Sequence, residues 1–213
     1  MLRESFLQGT DLMVSTSHFY AMEEYPAEFL KRRNEAAQRL IHAVLYSAEV
    51  YPKIVLGAEV LFFPGISNAD GIEQLQIGRS GSILIEPPMA PWTDDMLDEI
   101  QQMGRNFNLR PIIAHVDRYM TMQQDHSLID RVLQRDLVVQ VNGSYFLNPK
   151  TQKAALKNLK AGKIHLIGSD SHNLTTRPPN LGMVQKLVRD KHMKTVFQQL
   201  HHNAVELLMN RRV

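Results

Sequence analysis

Residues 164–172 read Ile-His-Leu-Ile-Gly-Ser-Asp-Ser-His, a short apolar run that ends in Asp170 and His172. Short apolar runs are typical of strands buried on both faces of a parallel sheet. The two-residue spacing just after a strand lets a carboxylate and an imidazole face one cavity. Oxygen plus imidazole suits Mn, Fe or Zn rather than Ca. The alternative is a helix-capping aspartate beside a surface histidine.

The same arrangement recurs along the chain, because other apolar runs also end in a side chain that can bind metal. These runs are 54–58 before Glu59, 83–85 before Glu86, 111–114 before His115, and 12–14, which leads through three polar residues into His18. In parallel α/β folds the carboxyl ends of the strands meet on one face, where active sites lie. The sequence therefore predicts one shared metal site on that face.

Each of these residues has an ordinary explanation when taken alone. His115 could be a satisfied core histidine, and His18 a loop histidine. Glu59 and Glu86 are expensive to bury unless paired, so each could form a salt bridge to a neighbouring strand end. The remaining histidines are assigned to the surface or to a helix face, with His165 in a strand but directed away from the cavity. They are His42, His126, His165, His192, His201 and His202.

Strand and helix patterns alternate, which predicts an α/β fold with a parallel sheet. The expected strands lie near 11–15, 53–58, 81–86, 110–114, 137–142 and 163–168. The expected helices cover 1–8, 26–46, a segment that begins at Thr93, 127–134, 151–160, and 181 to the C-terminus. Ligand candidates on most strands favour a barrel-like closure over an open doubly wound sheet. Residues 1–213 are expected to form one domain.

Composition narrows the class of function. Hydrophobic residues make up 44% of the chain and the formal charge is +2, with basic residues scattered, so nothing favours nucleic acid as a partner. No apolar run approaches the roughly 20 residues that cross a bilayer, and no signal peptide is apparent, so a cytoplasmic protein is expected. The chain has no cysteine, which excludes thiolate zinc sites and a cysteine-nucleophile phosphatase.

Two arginines, Arg118 and Arg177, each follow a strand that carries ligand candidates. A guanidinium group binds phosphate through two parallel hydrogen bonds. Metal ions and arginines on one cavity favour hydrolysis of a phosphate ester, in which metals activate water and hold the phosphoryl oxygens. The alternative for each arginine is a structural ion pair, for example between Arg118 and Asp117 or Glu86.

Several motifs together resemble one family. They are VSTSH at 14–18, GAE at 57–59, LIE at 84–86, IAHVDRY at 113–119, QVN at 140–142, SDSHN at 169–173 and RPP at 177–179. Their order is similar to that in the bacterial polymerase-and-histidinol-phosphatase (PHP) type of tyrosine phosphatase, which accompanies capsule and exopolysaccharide tyrosine kinases. The resemblance spans nearly the whole chain. It implies a distorted, TIM-like (βα)7 barrel and a cluster of up to three divalent metals.

The resemblance also implies roles for individual residues. The metal ligands would be His18, Glu59, Glu86, His115, Asp170 and His172, and the phosphate-binding groups would be Arg118 and Arg177. Manganese is the expected metal, with Fe, Zn or Mg as alternatives. The implied partner is the phosphotyrosine-bearing tail of a bacterial tyrosine kinase, and self-association into a homo-oligomer is a further expectation.

This sequence departs from the family at its start. The family opens with a strand bearing Asp-x-His-x-His and then an Asp-Asp-Gly loop, and neither occurs here. The expectation is an N-terminally incomplete domain without its first strand, through truncation or natural variation, that binds fewer than three metals and has impaired activity. Two other functions stay open: a small-molecule phosphatase of the histidinol-phosphate type, and a non-catalytic protein that binds a kinase tail.

Overall fold

The computed structural model describes residues 1–209, and it contains a six-stranded parallel sheet. The strands are β1 (Leu12–Phe19), β2 (Lys53–Leu61), β3 (Ser82–Glu86), β4 (Arg110–Ile113), β5 (Val138–Asn142) and β6 (Leu166–Gly168). Strand order in the sheet follows chain order, from β1 to β6. The predicted α/β class with a parallel sheet is therefore confirmed.

Helices connect the strands. They are α1 (Leu2–Leu7), α2 (Pro26–Leu45), α3 (Asp94–Phe107), α4 (Val116–Gln123), α5 (Leu128–Leu133), α6 (Gly143–Leu147), α7 (Gln152–Lys160), α8 (Leu181–Asp190) and α9 (Lys194–Leu208). Two short 3-10 helices, Ile66–Asn68 and Ile72–Leu75, replace a helix between β2 and β3. Thr93 is the N-cap residue of α3, as predicted, and its side-chain oxygen accepts a hydrogen bond from the Met96 backbone N–H at 3.2 Å.

The first strand is longer than the sequence predicted. Instead of ending near residue 15, β1 continues to Phe19, so His18 belongs to the strand and not to a loop. The register pairs His18 with Glu59 of β2. The polar residues at 15–17 gave no apolar pattern from which this extension could be predicted. A strand at the edge of a sheet does not need a continuous apolar run.

The sheet is curled, but within residues 1–209 it does not close. β1 pairs with β2 and β6 pairs with β5, and β1 and β6 are not hydrogen-bonded to each other. The described part of the chain is therefore a curled half-barrel, and the closed (βα)7 barrel stays a prediction. The curl nevertheless brings the carboxyl ends of the outer strands together, since the ring of His18 lies 6.0 Å from that of His172, beyond β6.

The single helix predicted from residue 181 to the C-terminus is also wrong. The chain leaves the helix after Asp190 and starts α9 at Lys194. His192 adopts a left-handed conformation, with φ of 57°, and the Met193 N–H donates back to the Val188 carbonyl at 3.1 Å. This ends α8 in the way that C-terminal caps commonly do. Residues 210–213 lie outside the described part of the chain.

The main core lies between the sheet and its helices, and α3 packs tightly into it. Leu97, Ile100 and Met103 are fully buried on one face of this helix. Gly104 follows them, and a Cβ there would lie 2.9 Å from both the Leu109 carbonyl oxygen and the Pro111 ring. Glycine at this position permits the close approach of α3 to β4.

Replacing Gly104 with Ala is expected to destabilise the protein by about 1–2 kcal/mol. Overpacking costs about 1–3 kcal/mol, and the gain of up to about 1 kcal/mol in helix propensity offsets part of it. Urea unfolding of Gly104→Ala and of the wild type measures the difference. Arg105→Ala, at the next and exposed position, is the control and should change stability little. Equal or greater stability of Gly104→Ala would contradict the tight packing.

Among residues 1–209, no helix has the length and apolar character required to cross a membrane.

Candidate functional site

The centre of the site is a buried imidazole between two carboxylates. His115 Nε2 lies 2.9 Å from Glu59 Oε1 and 3.2 Å from Glu86 Oε1. Glu59 and His115 are both buried, at 6% and 3% exposure. Buried carboxylates are costly unless they are paired or bind a cation. The predicted association of these strand-end residues is therefore present in the structure, and so are the salt bridges proposed as the alternative.

His18 extends this centre towards the surface. Its Nε2 lies 3.9 Å from Glu86 Oε2, and its ring stacks on that of Tyr20 with 5.7 Å between centroids. One ligand atom each from His18, Glu59 and Glu86 lie within 4.8 Å of one another. Imidazole nitrogen and carboxylate oxygen at this spacing fit a divalent transition metal such as Mn, Fe or Zn.

The second half of the site is built around Asp170. Its Oδ2 accepts a hydrogen bond from Arg118 Nη2 at 2.6 Å and another from Arg177 Nη2. Arg118 Nη1 also lies 3.4 Å from Glu86 Oε1, so this arginine links the two halves of the site. The ion pair between Arg118 and Glu86 considered from the sequence is thus present.

His172 lies at the exposed rim. Its Nδ1 is 3.7 Å from Asp170 Oδ1, and Arg177 Nη1 is 3.2 Å from its Nε2. The residues predicted as ligands and the two predicted phosphate-binding arginines therefore form one continuous cluster. His165, in contrast, is a half-buried residue that accepts a hydrogen bond on Nδ1 from the Val139 N–H, away from this cluster.

Two residues of the cluster have unusual backbone conformations. His115 and Asp170, which follow β4 and β6, adopt left-handed conformations with φ of 36° and 49°. This region is unfavourable for residues other than glycine, and such strain is concentrated at functional sites. The left-handed turn directs each side chain to the cluster at the point where the chain leaves the sheet.

Electrostatics couple the groups at the centre. Burial lowers the pKa of His115, but hydrogen bonds to Glu59 and Glu86 outweigh burial, so the pKa is raised above its ordinary value. Burial raises the pKa of Glu86, but the hydrogen bond to His115 and nearby positive charges reverse this and lower it. Burial raises the pKa of Asp117 to about 6. The charged forms of His115 and Glu86 stabilise each other.

Sequence reasoning included QVN at 140–142 among the family motifs but did not identify the polar layer that it forms behind the cluster. Asn142 Nδ2 donates a hydrogen bond to Asp170 Oδ2 at 3.0 Å, and the Asn142 backbone N–H donates to Asp117 Oδ1 at 2.8 Å. Gln140 Oε1 accepts from the His115 backbone N–H at 2.5 Å. Asn142 ends an apolar strand in the same way as the ligand candidates do, which was the signal that could have identified it.

A cavity of about 1170 Å³ adjoins the cluster. Consecutive residues of β1, from Leu12 to His18, line it together with Leu166–Gly168 of β6. Glu59, His115 and Asp170 also line it. Because alternate residues of a strand face one side of a sheet, a cavity lined by consecutive residues lies against the edge of β1.

The geometry agrees with what sequence comparison finds. Residues 1–209 match the family described as capsular polysaccharide synthesis, CpsB/CapC. The chain belongs to this family. The match spans the whole described chain, so every strand that contributes to the site lies within the family region.

Three tyrosine-protein phosphatases are similar to this chain over most of its length. The chain is 26% identical to the tyrosine-protein phosphatase CpsB of Streptococcus agalactiae serotype III (strain NEM316), over 99% of this chain and 89% of that protein. It is 27% identical to CpsB of Streptococcus pneumoniae, over 90% of this chain and 81% of that protein. It is 22% identical to the tyrosine-protein phosphatase YwqE of Bacillus subtilis (strain 168), over 100% of this chain and 84% of that protein.

The fold is likewise similar to a solved structure. A chain from the crystal structures of YwqE from B. subtilis and CpsB from S. pneumoniae, described as unique metal-dependent tyrosine phosphatases, superposes with a TM-score of 0.83 at 20% sequence identity. The similarity covers 100% of this chain and 86% of that one. It establishes the same fold for the CpsB/CapC member described here.

Proposed function

We propose that this protein is a metal-dependent protein-tyrosine phosphatase that acts in capsule or exopolysaccharide synthesis. The names of its relatives support the reaction. The observation that carries the proposal is the position of Asp170, which joins two arginines to a cluster of imidazoles and carboxylates. Metal-assisted hydrolysis of a phosphate ester uses positive charge beside groups that hold metal ions.

The metal ligands in this proposal are His18, Glu59, Glu86, His115, Asp170 and His172. Bound divalent metal would lower the pKa of water and neutralise charge on the phosphoryl group. The protein's own contribution is to fix the ligand geometry, which the strand ends and the left-handed turns at His115 and Asp170 do. Manganese is the metal we propose, because the family that the chain resembles commonly uses it and imidazole with carboxylate ligands is compatible with it.

Arg118 and Arg177 would bind the phosphate. Without substrate both guanidinium groups donate to the Asp170 carboxylate. A phosphoryl group offers further acceptor oxygens at the same place, and guanidinium binds them in a bidentate manner. The Arg177 side chain is 41% exposed, so it can turn towards an incoming ligand without opening the core.

The physiological substrate in this proposal is the phosphotyrosine-bearing tail of a bacterial tyrosine kinase, which the protein would meet in the cytoplasm. A role in capsule synthesis fits removal of phosphate from such a partner. Phosphotyrosine reaches farther from its backbone than phosphoserine does, which suits a cluster whose central residues are buried. We propose that the fold is a variant of the distorted (βα)7 barrel of the PHP type, represented in residues 1–209 by a curled six-stranded sheet.

A substrate comparison tests this proposal. With Mn²⁺ in excess, the protein is expected to release phosphate from a phosphotyrosine peptide at least about tenfold faster than from histidinol phosphate, at equal concentrations, with no release in EDTA. Phosphate release is measured directly. Faster hydrolysis of histidinol phosphate would favour the small-molecule alternative. Peptide binding without hydrolysis, measured by calorimetry, would favour the non-catalytic alternative.

A further inference from the structure

We propose that Gln140 and Asn142 are positioning residues that hold the metal-binding groups of His115 and Asp170 in place. The proposal rests on the metal site proposed above. Both residues lie at the carboxyl end of β5, next to the ends of β4 and β6. Neither is assigned as a metal ligand or as a contact to phosphate, so they would act through the residues they touch.

Gln140 supports the turn at His115. The ladder between β4 and β5 reaches Ile113 paired with Val139 and ends there. Beyond that point the His115 backbone N–H donates to Gln140 Oε1 at 2.5 Å, so a side chain supplies the acceptor where the strand leaves the sheet. This bond fixes the left-handed backbone that directs the imidazole to Glu59 and Glu86.

Gly168 makes room for the Gln140 side chain. A Cβ at residue 168 would lie 2.3 Å from Gln140 Nε2, so any larger residue on β6 would displace the amide. The φ of Gly168 is not positive, and the backbone conformation itself does not require glycine. The glycine is needed because the side chain of Gln140 lies against it.

The Asn142 side chain bonds to Asp170 and does not cap a helix, which is its more common role. It is the N-cap residue of α6, where asparagine typically accepts a hydrogen bond from the helix. Its side chain makes no such bond. Instead Nδ2 donates to Asp170 Oδ2 at 3.0 Å, with the residue only 6% exposed. The helix therefore forgoes its cap while the carboxylate gains a donor.

The two amides are joined, which fixes their orientation. Gln140 Nε2 lies 3.3 Å from Asn142 Oδ1 and donates to it. With Oδ1 engaged in this way, Nδ2 of Asn142 must face Asp170. A continuous chain of hydrogen bonds thus runs from the backbone of His115 to the carboxylate of Asp170, and it joins the two halves of the site.

Asn142 also has a role that the arginines cannot perform. Arg118 and Arg177 donate to Asp170 Oδ2 as well, but in the proposed reaction they turn to phosphate. Asn142 is anchored by its backbone N–H to Asp117 and does not depend on substrate. It keeps one Asp170 oxygen occupied while the other oxygen is available to metal, whether or not phosphate is bound.

The proposal is tested by measuring the Mn²⁺ affinity and the thermal stability of the same variants. Asn142→Ala and Gln140→Met are expected to weaken Mn²⁺ binding by about 10- to 100-fold, as loss of groups that orient metal ligands typically does. Calorimetric titration with MnCl₂ gives the Kd, and melting of the metal-free protein gives Tm. Ser144→Ala, at an exposed position in α6, is the matched control and should bind as the wild type does.

The outcomes separate the two proposals. Weaker Mn²⁺ binding by Asn142→Ala with Tm close to that of wild type supports positioning, because a purely structural residue would lower Tm and leave the Kd unchanged. Wild-type affinity in both variants would overturn the positioning role while the metal site stands. If the wild-type protein binds no divalent metal, the proposed metal site fails and the positioning role fails with it.

Discussion

Asp170→Ala is expected to reduce kcat/KM for a phosphotyrosine peptide by more than about a hundredfold. Loss of groups that merely orient metal ligands costs about 10- to 100-fold, and Asp170 would be a ligand itself. The carboxylate also holds Arg118 at 2.6 Å and contacts Arg177 and Asn142. Removing it leaves two guanidinium groups without their shared acceptor, so both the metal site and the phosphate site should lose order.

A second variant at residue 170 separates the effect of the Asp170 charge from the effect of its shape. Asp170→Asn keeps the shape and one acceptor but removes the negative charge, and it should be nearly as inactive because neutral amides bind divalent metal less strongly. Asp130→Ala removes a carboxylate that pairs with Lys163 on the surface and should leave activity unchanged. Initial rates in saturating Mn²⁺ are the measurement. Wild-type rates in Asp170→Ala would mean that this residue only pairs with the arginines.

Arg177→Lys is expected to weaken phosphate binding by about ten- to a hundredfold with little change in stability. Lysine keeps the charge but loses the planar fork that binds two oxygens, so the exchange is not conservative at such a site. Loss of one charge-assisted hydrogen bond costs about 1.5–3 kcal/mol. Pro178 follows Arg177 and restricts its backbone, so the segment should keep its conformation in the variant.

Vanadate or phosphate titration by calorimetry measures this effect, and thermal melting runs beside it. Arg189→Lys provides the control, because Arg189 lies in the last turn of α8 and is exposed. An unchanged phosphate affinity combined with a lower Tm would show that Arg177 is structural. Its ion pair with Asp170 and its hydrogen bond to His172 would then serve only to hold the structure together.

The sequence contains most of the information about where the site lies. Each buried strand has a distinct apolar run, and parallel strands end on one face, so residues that directly follow such runs are predictable neighbours. Glu59 and His115 illustrate this, since Glu59 lies in β2 and His115 follows β4, and their side chains are 2.9 Å apart. The roles of individual residues came from family resemblance, and their metal binding stays a prediction.

Other features depended on contacts that local sequence does not reveal. The extension of β1 to Phe19 results from pairing with β2, which a polar stretch at 15–17 does not indicate. The break before α9 depends on a left-handed residue, His192, inside a segment with continuous helical periodicity. The link from Asn142 to Asp170 depends on a side chain that forgoes its helix cap, which propensity alone would not predict.

Because the order of strands in the sheet equals their order in the chain, each strand pairs with its predecessor after one connecting segment. Each parallel pairing nevertheless closes a segment of many residues, as from Leu12 to Lys53, and this cost in chain entropy makes parallel sheets slow to fold. The proposed ligands extend from His18 on β1 to His172 beyond β6. No partly assembled sheet brings all of them together, so the proposed ligand set is complete only after all six strands have paired.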